Sequence, residues 1–409
     1  MRKEIDVHHS HRRYEHAIQA LKLDRKVIEA NRKLILAFTR DLQAENITEL
    51  RISKYINLLR HLSALLEKTF EEATVTDLRS VVADINGSEY SAWSKNDYKV
   101  TLKKFYKWLR KLPNDQEPAE TSWIKTGHPK NGILPEELLT EEDIGKLTKA
   151  AENSRDRAFV ECVYETGGRI GELLNLRRKH VQFDDIGAVL IFSGKTGDRR
   201  VRLITTAPAL SQWMLDHPLD DPEAPLWVTL GDRNRGAPLD YGAARYALQS
   251  LAEKAKIKKR TNPHSFRHAR ASYLANHLTE QQLGQYLGWT PGSRMPGVYV
   301  HLSGRDTDSA LLKMYGIEKE ENRKEQAKLT PLKCSRCRQM NDPTVRFCAK
   351  CGMPLKIDAA LEVEQQRSQA DDIMNRLFDD PEFRTYITSK LKSLGLNQTT
   401  NKKVGFIQP

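Results

Sequence analysis

The sequence has 409 residues, of which 39% are hydrophobic and 29% charged, and its formal net charge at pH 7 is +12. These proportions are typical of a folded protein and exclude a disordered chain, while the length predicts two domains with appendages. No apolar run approaches the roughly 18 residues that a membrane-spanning helix requires. Because the opening MRKEIDVHHSHRRYEH has no apolar signal core, we expect a cytoplasmic protein.

The positive charge is concentrated at the two ends of the sequence, in residues 1–113 and 317–409, while the middle is nearly balanced. An uneven basic charge favours a polyanionic partner, because neutralising phosphates releases counterions. Solubility alone would explain the same excess, so charge by itself leaves the partner open.

Residues 1–113 show a helical pattern, in which apolar residues return every three or four positions. Residues 114–134, punctuated by Pro and Gly, are predicted to be a linker. In residues 135–316, helices flank the segment VQFDDIGAVLIFSGKTGDRRVRLI, whose β-branched runs and Gly turns predict an antiparallel sheet. The predicted fold class is therefore mainly α with a small antiparallel β-sheet (α+β). The rest is predicted to be a charged connector, a cysteine-rich module and a helical tail, over residues 317–333, 334–355 and 356–396, respectively.

One helix of the first domain carries a basic stripe, in the segment KNDYKVTLKKFYKWLRK. Lysines recur there at every fourth position, opposite an apolar stripe of Tyr98, Leu102, Phe105 and Leu109. Such a stripe can follow a DNA backbone, although a charged face is more often simply solvated. A second basic segment, KAKIKKR, lies in the second domain. The candidate DNA contacts in the two segments are Lys95, Lys99, Lys103, Lys107, Lys254, Lys258, Lys259 and Arg260.

Two segments of the second domain place a cation at a turn of the backbone. In YETGGRIGELLNL, two glycines interrupt a helix just before Arg169, so a ligand can approach the backbone closely. Glu172 follows one turn later and can hold that guanidinium in place. In FSGKTGD, Lys195 stands at the predicted tip of a β-hairpin. The plain alternatives are a surface ion pair and a solvated turn lysine.

Two further segments place polar and aromatic side chains on helices. In TNPHSFRHARASYLANH, His264 and Arg267 share a helix face near the N-terminus, where the helix dipole favours an anion. His268 is expected on another face, in a structural role. In QQLGQYLGWTPGSRMPGVYVHL, Trp289 precedes Tyr299, and either residue alone would indicate only core packing. The joint order of all these segments is the stronger observation.

In this order and at these gaps, the segments resemble the tyrosine recombinase (phage integrase) family. TGGRIGELLNL resembles its first arginine box, HSFRHARASYLANH its second, and LGWTPGSRMPGVYVHL the closing box that ends in the nucleophile. The resemblance covers about residues 10–315 and is strongest over residues 160–303. Trp289 stands where many members carry His, and both rings can donate an N–H to a phosphate oxygen.

The resemblance implies an enzyme that breaks and rejoins DNA with neither ATP nor a catalytic metal. Tyr299 would attack phosphorus and form a 3′-phosphotyrosyl bond. Arg169 and Arg267 would clamp the non-bridging oxygens, and Trp289 would add one N–H bond. The implied partners are a double-stranded DNA recombination site, enclosed with the help of the helical first domain, and further copies of the chain, as a tetramer in the synapse.

The same resemblance assigns the two proton transfers. His264 would help to deprotonate the nucleophile, and Lys195 would protonate the departing 5′-oxygen. A type IB topoisomerase-like nicking and closing enzyme is an alternative with a similar pocket. A non-catalytic zinc-ribbon DNA-binding protein is the alternative from another class, although every catalytic box is present.

Four of the five cysteines form two C-x-x-C pairs, in CSRCRQMNDPTVRFCAKCGMPL. Thiolates at this spacing predict one structural Zn²⁺ per chain, held in a zinc ribbon by Cys334, Cys337, Cys348 and Cys351. DNA binding, subunit contact and pure scaffolding stay open as roles of the ribbon. Cys162, in the apolar stretch AFVECVY, is predicted to be a buried thiol.

Overall fold

The computed structural model describes residues 5–113, 115–127, 135–184, 186–194, 197–302, 314 and 331–393. Its helices are α1 (Ser10–Leu23), α2 (Glu29–Ala44), α3 (Glu49–Leu66), α4 (Val75–Gly87), α5 (Ala92–Leu109), α6 (Glu141–Ala150), α7 (Ser154–Thr166), α8 (Ile170–Leu174), α9 (Ala207–Asp216), α10 (Tyr241–Lys254), α11 (Pro263–Ala275), α12 (Glu280–Leu287), α13 (Met295–Leu302), α14 (Ile357–Asp379) and α15 (Pro381–Ser393). Its strands are β1 (Val181–Phe183), β2 (Ala188–Gly194), β3 (Gly197–Leu203), β4 (Leu332–Lys333) and β5 (Met340–Asn341). The predicted fold class, mainly helical with small antiparallel sheets, is confirmed.

The first five helices enclose one hydrophobic core. The apolar stripe predicted on α5 is present, since Leu102 and Phe105 are buried, and Tyr98 and Leu109 pack against the same cluster. The ring of Phe105 meets that of Phe38 on α2 edge-on, with centroids 5.4 Å apart. Because the apolar face of α5 is used in this way, its lysine stripe lies half-buried at the border with solvent.

The first part of the predicted linker packs on this core. Thr121 and Ile124 are buried, and Nε1 of Trp123 donates to the carbonyl of Glu120 at 2.8 Å. Residues 128–134 lie outside the described residues. The described part of the linker is therefore folded against the helices.

A second hydrophobic core surrounds the sheet β1–β2–β3, whose strands are antiparallel and in sequence order. Leu190 pairs with Val201, and both side chains are fully buried. Cys162 on α7 is a fully buried free thiol, as predicted. Val7 is also buried in this cluster, and its carbonyl accepts the N–H of Tyr241 at 2.9 Å. The segment before α1 thus joins the second core to the first helices.

A smaller cluster brings α11, α12 and α13 together. Ala271 and Ala275 of α11 pack with Leu283 and Leu287 of α12, and Tyr299 of α13 is buried among them. The segment from α11 to α13 carries four of the predicted catalytic positions, which are His264, Arg267, Trp289 and Tyr299.

The cysteine-rich module contains the short β4–β5 hairpin, in which Leu332 pairs with Asn341. Two helices follow it in the predicted tail, α14 and α15, and they expose apolar side chains such as Ile373 and Tyr386. Among the described residues, no helix has both the length and the apolar character needed to cross a membrane.

Candidate active site

The turn between α7 and α8 positions Arg169. α7 ends at Thr166 and is capped by Gly167, whose φ of +52° is in the left-handed region that favours glycine. A Cβ at Gly167 would lie 2.9 Å from a methyl carbon of Leu287, so the turn also depends on the absence of a side chain. Arg169 then becomes the N-cap residue of α8. The helix break predicted before Arg169 is therefore present.

Arg169 and Glu172 form an ion pair, as predicted. Nη1 of Arg169 lies 3.1 Å from Oε1 of Glu172 and donates to the carbonyl of Gly288 at 2.9 Å. Oε2 of Glu172 accepts a second bond, from Nη2 of Arg199 at 2.6 Å. Burial by itself would raise the pKa of Glu172, but the bonds and charges of Arg199 and Arg169 outweigh it and lower that pKa. Glu172 is therefore a carboxylate at neutral pH, while the Arg169 side chain remains 45% exposed.

Arg267 lies buried in the floor of the site. Its Nη1 donates to the carbonyl of Gly167 at 2.8 Å, and its Nη2 donates to the carbonyl of Leu287 at 2.9 Å. Burial and the nearby charge of Arg169 lower the pKa of Arg267 to about 10, so it stays protonated at neutral pH. A guanidinium has five N–H donors, and these two bonds leave others for an anion.

Tyr299 is buried beside Arg267, with 3% of its surface exposed. Its ring is stacked on that of Trp289, with centroids 5.4 Å apart and an interplanar angle of 13°. Its hydroxyl is hydrogen-bonded to Nδ1 of His268. Burial raises the pKa of Tyr299 to about 12, although the charge of Arg267 acts in the opposite direction. The phenol is therefore protonated at neutral pH and needs a base to become a nucleophile.

His268 is a site residue that the sequence reasoning missed, because it was expected on another face of α11. It lies one helical turn from His264, and the two ring centroids are 4.3 Å apart. Burial, followed by the charges of His264 and Arg267, lowers the pKa of His268 to about 4. His268 is thus neutral at pH 7 and can accept a proton from Tyr299. The spacing of the two histidines in HSFRH was the available signal.

Lys195 lies outside the described residues. The strands on either side of it, β2 and β3, are paired along their length. Ala188 is opposite Leu203 at one end, and Gly194 is opposite Gly197 at the other. The structure thus brings together the other predicted catalytic residues, which are Arg169, His264, Arg267, Trp289 and Tyr299. It adds Arg199, a strand residue that the sequence reasoning did not single out.

The candidate DNA-contacting residues differ in their surroundings. Lys103, Lys254 and Lys259 each form an ion pair with an acidic side chain, at 3.0, 2.9 and 2.8 Å, respectively. Lys259 also donates to the carbonyl of Leu138 at 2.8 Å, which fixes it at the start of α6. Lys95 donates to the carbonyl of Asn86 at 2.7 Å. The remaining candidates lie half-buried on α5 or exposed before α11, and are Lys99, Lys107, Lys258 and Arg260.

A basic cleft between α1 and α3 was also missed from the sequence. Its lining includes Arg12, Arg13 and His16 on α1 and Lys54 on α3. Lys54 is held by Asp97, with Nζ 2.7 Å from the carboxylate. The run HHSHRRYEH was the available signal, since its basic residues recur at helical spacing.

The four predicted metal-binding cysteines come together. Sγ of Cys334 lies 3.6 Å from Sγ of Cys351, and Sγ of Cys337 lies 3.5 Å from Sγ of Cys348. Tetrahedral coordination with Zn–S bonds of about 2.3 Å requires sulfurs about 3.8 Å apart. Burial raises the pKa of Cys348, but the backbone N–H groups of Cys351 and Lys350 and the neighbouring thiols bring it down to about 6. The cluster can therefore hold a metal ion.

Comparison with known proteins identifies relatives of the chain. A model described as the phage integrase family matches residues 137–305. The chain is 24% identical over 300 residues to the tyrosine recombinase XerC of Staphylococcus aureus strain JH9, a match that covers 70% of this chain and 97% of the relative.

Two solved structures share the fold. The XerH site-specific recombinase bound to a palindromic difH substrate, in a post-cleavage complex, matches with a TM-score of 0.53 and 16% identity over 75% of this chain and 94% of its own. A lambda integrase tetramer bound to a Holliday junction matches with a TM-score of 0.53 and 15% identity over 68% of this chain and 78% of its own.

Proposed function

Since the chain belongs to the tyrosine recombinase family and is a site-specific DNA recombinase, we propose that Tyr299 breaks a DNA strand and carries it as a 3′-phosphotyrosyl ester until it is rejoined. The observation that carries this proposal is the stacking of Tyr299 on Trp289, directly beside the buried guanidinium of Arg267. A phenol, a ring N–H donor and a cation thus converge at one point, as attack on a phosphodiester requires.

The nucleophile loses its proton as it attacks. The hydroxyl oxygen of Tyr299 bonds to phosphorus while its proton passes to the histidine pair of α11. His268 holds that hydroxyl, and His264 lies against His268, so His264 assists through its neighbour. With a pKa raised to about 12, the phenol cannot ionise unaided at neutral pH, and this is the physical need for a base.

Arg169 and Arg267 stabilise the charge that builds on the non-bridging oxygens. Arg169 offers the exposed side of its guanidinium, and Arg267 offers the N–H groups that its two carbonyl partners leave. Planar guanidinium forks fit a phosphorane better than point charges do. Each contributes on the order of 3–4 kcal/mol of barrier reduction, by analogy with other donors to developing oxyanions. Trp289 adds one N–H bond.

Lys195 completes the step by protonating the 5′-oxygen as its bond to phosphorus breaks. In the sequence, Lys195 stands between β2 and β3, and β3 carries Arg199, which donates to Glu172 in the site. Rejoining reverses the sequence, with the 5′-hydroxyl attacking the phosphotyrosyl ester. The ester conserves the energy of the broken bond, so ATP is not required, and the guanidinium charges supply the stabilisation that Mg²⁺ gives elsewhere.

The DNA lies between the helical first domain and the catalytic site. Candidate phosphate contacts are the lysine stripe of α5, the exposed residues before α11, and the cleft of Arg12, Arg13 and His16. The XerH and lambda integrase structures are bound to DNA, the latter as a tetramer on a Holliday junction. We extend this to a tetramer of the present chain in its synapse.

Cys334, Cys337, Cys348 and Cys351 would hold one structural Zn²⁺ ion. Four thiolates at these separations suit a closed tetrahedral site, and a closed site orders the module without taking part in catalysis. The ion would supply folding free energy to a segment too short to build its own hydrophobic core.

Covalent trapping tests the proposed chemistry. In a recombination-site duplex with a nick just 3′ to the scissile phosphate, cleavage releases a short fragment that carries the 5′-hydroxyl leaving group, so rejoining fails and the covalent adduct accumulates. Wild-type protein should yield an adduct on the 3′-phosphate, and Tyr299→Phe should yield none while DNA affinity is retained, because only one oxygen is removed. An adduct with the Phe variant, or an adduct on a 5′-end, would refute the assignment.

A further inference from the structure

Arg199 is a buried arginine on β3 whose role is not explained by packing. Its side chain is 10% exposed, and its Cζ lies 4.7 Å from the ring centroid of Phe192. Nη2 donates to Oε2 of Glu172 at 2.6 Å. Within the described part of the chain, its Nε and Nη1 are buried without a hydrogen-bond partner.

Such a burial is unfavourable unless something offsets it. A buried guanidinium with unpaired N–H groups loses its hydration, and a methionine or leucine over Phe192 would pack without this cost. The compensation visible in the structure is the carboxylate of Glu172, which is 11% exposed and is shared between Arg199 and Arg169.

Gly288 ties the same arginine to the other side of the site. A Cβ at Gly288 would lie 2.6 Å from Nη1 of Arg199, and Gly288 has a φ of +67°. The carbonyl of Gly288 accepts from Arg169 at 2.9 Å, and the next residue is Trp289. Arg199 therefore touches both groups that hold Arg169 in place.

The charges of the cluster favour an electrostatic role. Glu172 alone would neutralise Arg169 and weaken it as a phosphate ligand. With Arg199 present, the guanidinium groups of Arg169, Arg199 and Arg267 accompany the single carboxylate of Glu172. The cluster then has a net charge of +2. Attack of a phenolate on a phosphodiester gives a phosphorane with two negative charges, so the cluster matches the transition state rather than the singly charged substrate.

We propose that Arg199 is a positioning residue that takes up the charge of Glu172 and so keeps Arg169 available to the scissile phosphate. This inference rests on the proposed function, because it assigns Arg199 a part in the same strand cleavage.

The test compares Arg199→Met with Arg200→Met. Arg200 is the adjacent residue on β3 and is exposed, so it controls for loss of an arginine from this strand. Single-turnover strand cleavage is measured on saturating nicked DNA. Arg199→Met should be slowed by about 10²-fold, Arg199→Lys by about tenfold because it keeps the charge without the fork, and Arg200→Met should match wild type.

A neutral substrate isolates the electrostatic part. When a methyl group replaces one non-bridging oxygen of the scissile phosphate, the transition state carries one negative charge fewer. The Arg199→Met defect should then shrink to within a few-fold of wild type. Adding Glu172→Gln to Arg199→Met should recover about tenfold on the ordinary phosphodiester, since Arg169 is no longer neutralised.

The outcomes separate this inference from the proposed function. If wild type forms an adduct that Tyr299→Phe lacks, but Arg199→Met cleaves like Arg200→Met, the inference is wrong and the function stands. The inference would also be overturned if Arg199→Met were equally slow on both substrates and Glu172→Gln gave no recovery. It would likewise be overturned if Arg199→Lys were as slow as Arg199→Met. If wild type itself forms no adduct, the proposed function fails first.

Discussion

The hydroxyl of Tyr299 is hydrogen-bonded to Nδ1 of His268, which joins the nucleophile to a base that is uncharged at pH 7. Burial and the charges of His264 and Arg267 bring the pKa of His268 to about 4, and burial raises the pKa of Tyr299 to about 12. The proton therefore stays on the phenol at rest. The proton moves to His268 only as the phenol oxygen bonds to phosphorus, because the phenol becomes more acidic at that point.

His268→Gln should slow strand cleavage by about 10²-fold and make it depend on pH. Glutamine can accept the hydrogen bond of Tyr299 but cannot take its proton, so hydroxide must do so. The rate of the variant should rise about tenfold per pH unit between about pH 7 and pH 9, while the wild-type rate stays nearly level. Single-turnover cleavage across this range measures both. His277→Gln, beyond the end of α11, is the control, and a level profile for His268→Gln would exclude the residue from the proton path.

Lys195→Ala should cleave ordinary DNA more slowly by ~10²–10⁴-fold, because the 5′-oxygen would leave as a bare alkoxide. A substrate with sulfur at this bridging position has a better leaving group that needs no proton. It should restore most of the rate of Lys195→Ala and leave Arg267→Ala impaired, since the charge on the phosphorane is still unbalanced. Rescue of both variants, or of neither, would mean that Lys195 is not the acid.

Residues whose role depends on local spacing were predictable from the sequence. The two glycines before Arg169 predicted the helix break, and the turn at Gly167 has the positive φ that glycine favours. Helical spacing also predicted the buried face of α5. His268 was missed because its separation from Arg267 places it on another face, whereas its separation from His264 is one helical turn.

Arg199 could not be predicted for a different reason. An arginine on a strand next to a glycine turn is usually solvated, and its burial results from packing against the end of α12, more than eighty residues later in the sequence. Contacts of this range follow from tertiary structure and leave no periodicity in the sequence.

Replacing Lys99 and Lys107 by alanine should weaken DNA binding and reduce its dependence on salt. The slope of log affinity against log salt should fall by roughly one for each phosphate that the variant no longer neutralises. Binding titrations at several salt concentrations measure the slope. Lys146→Ala on α6, whose lysine pairs with Glu142 at 3.0 Å, serves as the control. An unchanged slope in the double variant would identify the stripe as a solvated face.

One zinc ion should be found per chain, and thiol-modifying reagents should release it. Cys348→Ser should lower the zinc content and the thermal stability of the cysteine-rich module, because four thiolates close the site. Elemental analysis and thermal denaturation measure the two effects. Cys162→Ser is the control for zinc content, since this thiol lies outside the four-cysteine cluster. Single-site strand cleavage should survive removal of the ion, and its complete loss would show that the chemistry needs the metal.

Glu161 on α7 and Asp342 of the cysteine-rich module line one small cavity. Glu161 is 9% exposed and Asp342 is 4% exposed. Burial, followed by the charges of Asp342 and Glu165, raises the pKa of Glu161 well above its ordinary value, and Arg157 opposes this only in part. Between the ordinary pKa and the raised one, the folded protein binds more protons than the unfolded chain, so stability falls as the pH rises through that window.

Glu161→Gln should therefore stabilise the protein at pH 8 and have little effect near pH 4, where the carboxyl is already protonated. An increase of about 1 kcal/mol in the free energy of unfolding corresponds to a rise in Tm of about 2–4 °C. Asp342→Asn should give a similar rise, and the two changes should not add, because either one removes the repulsion. Glu253→Gln, at an exposed position of α10, controls for the loss of one charge. Additive effects, or equal effects at both pH values, would mean that the charge of Asp342 does not destabilise the carboxylate form of Glu161 across this contact.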